Sequence, residues 1–357
     1  MAGDPRVMGM WNLAPRILGV GVPYSDFKDL LDGIERWDDW CVAWSKRASI
    51  HETIGRDALD AGRGLSAGHH LTNAALFYHF AKFTFTNDMA QLRAAHQRAV
   101  ACRTDALPYL APPGERIEVP FEGKVLAGNL RRPAGAEHPP LVLIIGGMDS
   151  CKEEMHNAER FLLERGMATL AFDGPGQGEA EYDFPIRFDF EVPCGAMIDW
   201  AQTRDDIASD RIGLLGASLG AYYAARVAAM DHRVKAAICN APAFSVFDNF
   251  DQRRPALKEN YRARAHCETL DQVRDMLRDF DLASVAGDIT CPLFIIGCRE
   301  DAVTSYEDAV RLADAVAGTV ELLVIDGAIH VAANRPYRHQ TQAADWMAEK
   351  LGVGGGG

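Results

Sequence analysis

The hydrophobic positions change their period partway along the chain. Between residues 25 and 110 apolar side chains recur every three to four residues. Phe27, Leu30, Leu31, Ile34 and Trp37 fall on one face of a helix. The same spacing predicts helices over 50–63, over 66–85 with Ser66 as its N-cap, and over 88–101. Ala74, Ala75, Ala81, Ala94 and Ala95 let such helices pack closely, so this stretch of roughly 85 residues reads as an antiparallel helical region. Residues 1–24 carry Met8, Met10 and Trp11 without a clear period.

Pro108, Pro112, Pro113 and Gly114 end that texture. Beyond them, 117–121 and 125–130 alternate like two strands of a hairpin around Glu122-Gly123. The unbroken apolar run 141–145 suits a strand buried on both faces of a parallel sheet. There follow a helix (153–165), a strand (168–172), a helix (194–208), a strand (211–216) and a helix (221–230). Strands at 234–239, 292–296 and 320–325, with helices at 306–316 and 335–351, complete the pattern. Strands alternating with helices predict an α/β fold, a mostly parallel sheet flanked by helices with right-handed crossovers. The interval 241–289 is too long for a connection and reads as a lid, with a helix over 269–282 carrying Leu270, Val273, Met276, Leu277 and Phe280 on one side. The expected domains are therefore an N-terminal helical cap, 1–112, and an α/β core, 113–353, followed by a flexible tail, Gly354 to Gly357.

Composition changes this picture little. At 48% hydrophobic and 24% charged, the 357 residues are ordinary for a globular protein. A formal charge of −13 argues against nucleic acid or an anionic membrane as partner. No stretch has the length of a membrane span, and no signal-peptide pattern opens the chain. The eight cysteines are scattered without a CxxC pair, which points to a reducing, cytoplasmic compartment without disulfides. The eleven histidines show no HExxH spacing, so no metal site is expected. The adjacent pair His69-His70 reads as one buried and one exposed helix residue.

The candidate chemistry centres on Gly216-Ala217-Ser218-Leu219-Gly220, between an apolar strand and an alanine-rich helix. A strand–turn–helix of this kind holds the serine hydroxyl at the tip of a crowded turn that admits only glycine on either side. Serine needs a histidine to take its proton and a carboxylate to orient that histidine, each on a loop at the same sheet edge. Asp301 follows one strand and a short glycine-bearing turn, and His330 follows the next strand. Glu300 and Asp326 are the competing acids, and His232, His266 and His339 the competing bases. His232 sits at the wrong sheet edge, His339 reads as solvated, and His266 falls in the lid, where it suits substrate contact. Oxyanion donors are expected from the N–H of Leu219 at the helix start, and from Met148 or, second, Gly147 in the loop after 141–145. The turn Asp173-Gly-Pro-Gly-Gln-Gly178 lacks the lysine and Ser/Thr of a phosphate loop and reads as structural shaping beside the pocket.

The elbow at Ser218, the 173–178 turn, Asp301 and His330, in the order serine, acid, histidine, resemble the α/β-hydrolase superfamily over about residues 115–351. Leu65-Ser-Ala-Gly-His, Ala74-Ala-Leu-Phe-Tyr-His-Phe-Ala81 and Gly146-Gly-Met-Asp-Ser-Cys-Lys-Glu-Glu154 narrow the likeness. With them nearly the whole chain resembles the 2,6-dihydroxypseudooxynicotine hydrolase group and related fungal polyketide-shortening hydrolases. The resemblance implies hydrolysis of a carbon–carbon bond next to a ketone, no cofactor, and a homodimer whose helical caps close the active site. It also implies an acidic helper near the base of the lid, where Asp248 and Asp251 both stand. Lid aromatics (Phe244, Phe247, Phe250, Tyr261) and those of the helical region (Phe77, Tyr78, Phe83) suit an aromatic small-molecule substrate, with core packing as the alternative for each. A carboxylesterase or amidase would use the same triad. A non-catalytic binding protein on this scaffold is the reading of another class.

Overall fold

The computed structural model describes residues 4–353; the glycine run 354–357 lies outside them. The chain forms two compact units, Met1–Arg116 with Glu153–Asn157, and Ile117–Lys152 with Ala158–Gly357. In the first unit three long helices, Trp40–Asp60, Gly64–Lys82 and Met89–Ala106, carry most of the structure. The Trp40–Asp60 helix starts ten residues before the expected position, because Trp40, Cys41, Trp44 and Ala48 extend its buried stripe. Trp40 and Trp44 are fully buried, and the Trp40 indole N–H donates to the Phe80 carbonyl at 2.8 Å. Gly64, not Ser66, begins the next helix, and Asp88 caps the third through the N–H groups of Ala90 and Gln91.

Residues 153–157, expected to open a helix of the core, cluster instead with this helical unit. The Glu154 carboxylate is buried and needs cations. Arg16 supplies one at 2.6 Å and the His79 ring faces it at 3.1 Å. Burial pushes that carboxyl up, but the charges of Arg16 and His79 outweigh it and hold it well below the usual range.

The second unit is built on one eight-stranded sheet in the order β1-β2-β4-β3-β5-β6-β7-β8. The strands are β1 (Gly114–Phe121), β2 (Lys124–Arg131), β3 (Pro140–Ile145), β4 (Ala168–Phe172), β5 (Ala208–Ala217), β6 (Val234–Asn240), β7 (Leu293–Cys298) and β8 (Val320–Ile325). From β4 onward every pairing is parallel, and β2 lies antiparallel to β4. All residues of β3, β4 and β7 are buried, as their unbroken apolar runs require. This is the α/β-hydrolase arrangement, and it brings the C-terminal ends of β3, β5, β7 and β8 to one edge.

Several helices are shorter than their periodicity suggests. The helix expected over 194–208 spans Glu191–Ala201, and the chain turns where the Thr203 hydroxyl donates to the Trp200 carbonyl. The lid helix is Leu270–Leu277, opened by a capping box between Thr269 and Gln272. It stops before Phe280 because the following residues turn back along the lid's start. Val246 N–H donates to Phe280 O, and Leu282 N–H to Phe244 O. Among the described residues no helix is long and apolar enough to cross a membrane.

His339 corrects the sequence reading outright. It is 8% exposed at the start of the last helix, and burial pushes its ring down to about 4 from 6.5. The fold therefore holds the neutral ring. Below pH 6.5 the unfolded chain takes up the proton and the folded one does not until near pH 4, so stability falls across that window. A His339→Phe variant should lose less stability than the parent between those two pH values in urea unfolding. Identical slopes would contradict this.

Candidate active site

Ser218 stands between β5 and the helix Leu219–Met230 with φ 58° and ψ −121°, a conformation that costs on the order of 1–3 kcal/mol for a residue with a side chain. Neighbouring glycines make the turn possible. A Cβ on Gly216 would lie 2.0 Å from the Gly220 carbonyl oxygen. One on Gly220 would lie 2.2 Å from the carbonyl oxygen of Ile145 and 2.5 Å from that of Gly146. The helix therefore packs directly on the end of β3 and the loop after it. The Ser218 N–H donates to Asn240 O at 2.9 Å, which ties the elbow to the end of β6.

His330 follows β8, with its Nε2 2.8 Å from Ser218 Oγ and its Nδ1 2.7 Å from Asp301 Oδ2. Its loop is held by three bonds absent from the sequence reading. Ile329 N–H donates to the Asn334 side chain, Asn334 donates to Gly327 O, and Asn240 Nδ2 donates to Val331 O at 3.1 Å. Val331 and Ala332 both adopt left-handed backbone angles, φ 54° and 53°, so those bonds sustain a strained turn.

Asp301 is almost fully buried. Its Oδ1 accepts the N–H groups of Val303 (2.7 Å) and Thr304 (3.1 Å), and the Thr304 hydroxyl lies 3.0 Å from Oδ2. Burial pushes the carboxyl up, yet the hydrogen bond and charge of His330 and the two backbone donors outweigh it, and it lies below its ordinary value. The competing acids are elsewhere. Asp326 is 89% exposed beside Arg299, and Glu300 is exposed with its N–H on Ala328 O. His232 is exposed in the connection before β6.

Gly147 approaches Ser218 closely, since a Cβ there would lie 3.3 Å from Ser218 Cβ. Met148 beside it is buried, as is Leu219 on the other side of the serine. Two acidic groups near this loop are committed to a cation. Buried Lys152 Nζ bridges Asp173 Oδ2, at 2.8 Å, and Glu179.

The remaining candidates are not gathered with these residues by hydrogen bonds. Asp248 pairs with Arg311 (3.0 Å) and Asp251 with Arg274 (2.6 Å), both exposed, and neither bonds to Ser218, Asp301 or His330. The helper carboxylate expected at one of them is not part of the hydrogen-bonded group. His266, which suited substrate contact, has its Nε2 bonded to the Glu181 carbonyl at 2.7 Å. Phe247 packs on the core with the Arg278 guanidinium 4.5 Å over its ring. Tyr78, in the helical unit, donates its hydroxyl to Glu52. Sequence reasoning passed over Thr304, Asn240 and Asn334. The only signal for Thr304 is its place three residues after an acid, the spacing of a side chain that closes its own turn.

Residues 23–351 match the family described as Esterase FrsA-like. A 2,6-dihydropseudooxynicotine hydrolase of Paenarthrobacter nicotinovorans is 33% identical over 343 residues, covering 95% of this chain and 92% of that protein. The alpha/beta hydrolase gkaG of Penicillium citrinum is 31% identical, covering 67% of this chain and 61% of its own, longer length. Among solved structures, that of 2,6-dihydroxy-pseudo-oxynicotine hydrolase superposes with a TM-score of 0.88 at 32% identity, covering 94% of this chain and 95% of that one. AbyA5, at 20% identity over 90% of both chains and a TM-score of 0.72, shares the fold.

The elbow generates its own test. A Gly216→Ala substitution drives a methyl into the Gly220 carbonyl and should cost at least ~3 kcal/mol in urea denaturation. An alanine variant as stable as the parent would contradict the geometry.

Proposed function

The chain belongs to the FrsA-like esterase family and is an α/β-hydrolase, and from that premise we propose that it hydrolyses a carbon–carbon bond next to a ketone in an acyl-aromatic or β-dicarbonyl compound. The observation that carries the reading is the unbroken bond path from Ser218 Oγ through His330 to Asp301. Identity of 33% to a 2,6-dihydropseudooxynicotine hydrolase, over nearly the full length of both proteins, favours that substrate class.

In this mechanism Ser218 Oγ attacks the substrate carbonyl as His330 Nε2 takes its proton. Asp301, ionised at neutral pH, fixes the ring so that Nδ1 carries its hydrogen toward the carboxylate and stabilises the imidazolium. The N–H groups of Leu219 and of Met148, with Gly147 as second choice for the latter, receive the negative charge on the carbonyl oxygen. Collapse of the tetrahedral adduct breaks the carbon–carbon bond. The electron pair leaves on a carbon that an adjacent carbonyl or phenol-like ring delocalises, and His330 gives that carbon the proton. Water, deprotonated by His330, then releases the acyl group as a carboxylic acid and restores Ser218. The proposal extends to a homodimer, which the family resemblance implies, in the cytoplasm, which the scattered unpaired cysteines suit, acting on an aromatic substrate, which the lid aromatics suit. Asp248 and Asp251, each paired with an arginine, enter no step of this mechanism.

The family's description as an esterase favours a second reading, hydrolysis of an ester or amide, which needs only a heteroatom leaving group. Product analysis separates the two. A panel of β-diketones and acyl phenols should yield acid and ketone or arene. If those stay intact while p-nitrophenyl esters or anilides turn over, the second reading replaces the first. Under either, Ser218→Ala and His330→Ala should abolish turnover with folding intact, and Asp301→Asn should cost about 10³–10⁴-fold in kcat. Parent-like turnover in Ser218→Ala would end the assignment.

A further inference from the structure

The glycine-rich turn after β4 is more tightly specified than a connection needs to be. A Cβ on Gly178, which has φ +45°, would fall 2.0 Å from Asp173 Cγ. That close approach brings Asp173 onto both the N–H and the Nζ of Lys152, at 2.8 Å each, and onto the N–H of Glu179. The turn is thereby bound to the far end of the loop 146–152. Its Gln177 reaches the near end. This side chain is 1% exposed, and its Nε2 lies 2.5 Å from Gly146 O and 3.2 Å from Gly147 O. The Gly174 N–H donates to Gln177 Oε1 at 3.3 Å, which fixes which end of the amide faces those carbonyls.

We infer that Gln177 is the positioning residue of the oxyanion loop, holding the Gly146 and Gly147 carbonyls on one side so that the N–H groups of Gly147 and Met148 are presented on the other. The inference rests on the serine-hydrolase reading above. Its physical basis is the planar trans peptide, in which the N–H of one residue points opposite the C=O of the residue before it. Fixing the carbonyl of Gly146 fixes the N–H of Gly147, and fixing the carbonyl of Gly147 fixes the N–H of Met148. Those are the two candidate donors on this loop, and Gly147 lies against Ser218. The loop's glycines have no side chains to resist rotation of these peptide planes, so an outside clamp is required. One side-chain NH₂ has two hydrogens, the number needed to hold both carbonyls.

Two readouts follow the loop without requiring the natural substrate: the second-order rate of Ser218 labelling by a fluorophosphonate, and the inhibition constant of phenylboronic acid, which forms a tetrahedral anion on the serine. In Gln177→Leu the labelling rate should fall about 10–10²-fold, and the boronate should weaken by a similar factor, somewhat less than deletion of a donor outright. A loss of labelling with unchanged boronate affinity, or no loss of either, overturns the assignment. Gln177→Glu is the second variant and keeps the side-chain shape. Its carboxyl can donate to one carbonyl when protonated and repels both when ionised. The ratio of its labelling rate to that of the parent should therefore fall as pH rises, and a flat ratio below one counts against the clamp. If the parent itself is not labelled at Ser218, the serine-hydrolase reading falls and takes this role with it. A labelled parent with an equally reactive leucine variant removes Gln177 alone.

Discussion

The constraint on which this site turns is the contact between the helix after Ser218 and the end of β3. Gly220 brings helix backbone to within van der Waals distance of the Ile145 and Gly146 carbonyls, where any side chain would collide. Gly216, at the end of β5, lies just as close to the Gly220 carbonyl. Because both glycines are compressed, the serine between them is forced into a left-handed conformation and its hydroxyl projects from the sheet edge. The same compression brings the loop after β3 beside Ser218. The elbow and the loop after β3 are thus one packing arrangement, and neither can be loosened without moving the other.

Electrostatics completes what packing starts. Asp301 is buried, which by itself would favour its neutral form, and the fold answers with two backbone N–H groups, a hydroxyl and an imidazole. An acid held this way stays ionised and keeps the His330 ring in a single tautomer. His330 in turn sits on a strained loop tied down by Asn240 and Asn334. Asn240 links both halves, since its backbone carbonyl takes the Ser218 N–H and its side chain takes the His330 loop. Ser218 and the His330 loop share a common anchor at the end of β6.

Buried ion pairs fasten the loops around this centre. Lys152 with Asp173 and Glu179 binds the loop after β3 to the glycine-rich turn. Arg264, at the end of a second helix in the lid, Pro255–Arg264, pairs with Glu181 and binds that helix to the segment that follows the same turn. Each pair costs desolvation, and removing one partner leaves the other charged and buried, typically a loss of about 3–5 kcal/mol. Such pairs are poor devices for raw stability. Their geometry is narrow, though, and it suits loops that must hold one arrangement.

The amino-acid sequence alone determined the alternation of strands and helices and the serine elbow, and it singled out Asp301 and His330, which the structure brings into one hydrogen-bonded group with Ser218. Each of these depends on local rules: apolar period, glycine at a crowded turn, and a loop position just past a strand end. It misjudged helix ends and the burial of His339, because the bonds that stop a helix and the neighbours that cover a ring come from other elements. Tertiary structure alone decided that Gln177 reaches carbonyls 30 and 31 residues away, that Asn240 bonds a loop 91 residues on, and that residues 153–157 join the helical unit. The reason is physical. A hydrogen bond has a range of about 3 Å and no sequence period, so its partners become visible only once folding has brought distant backbone together.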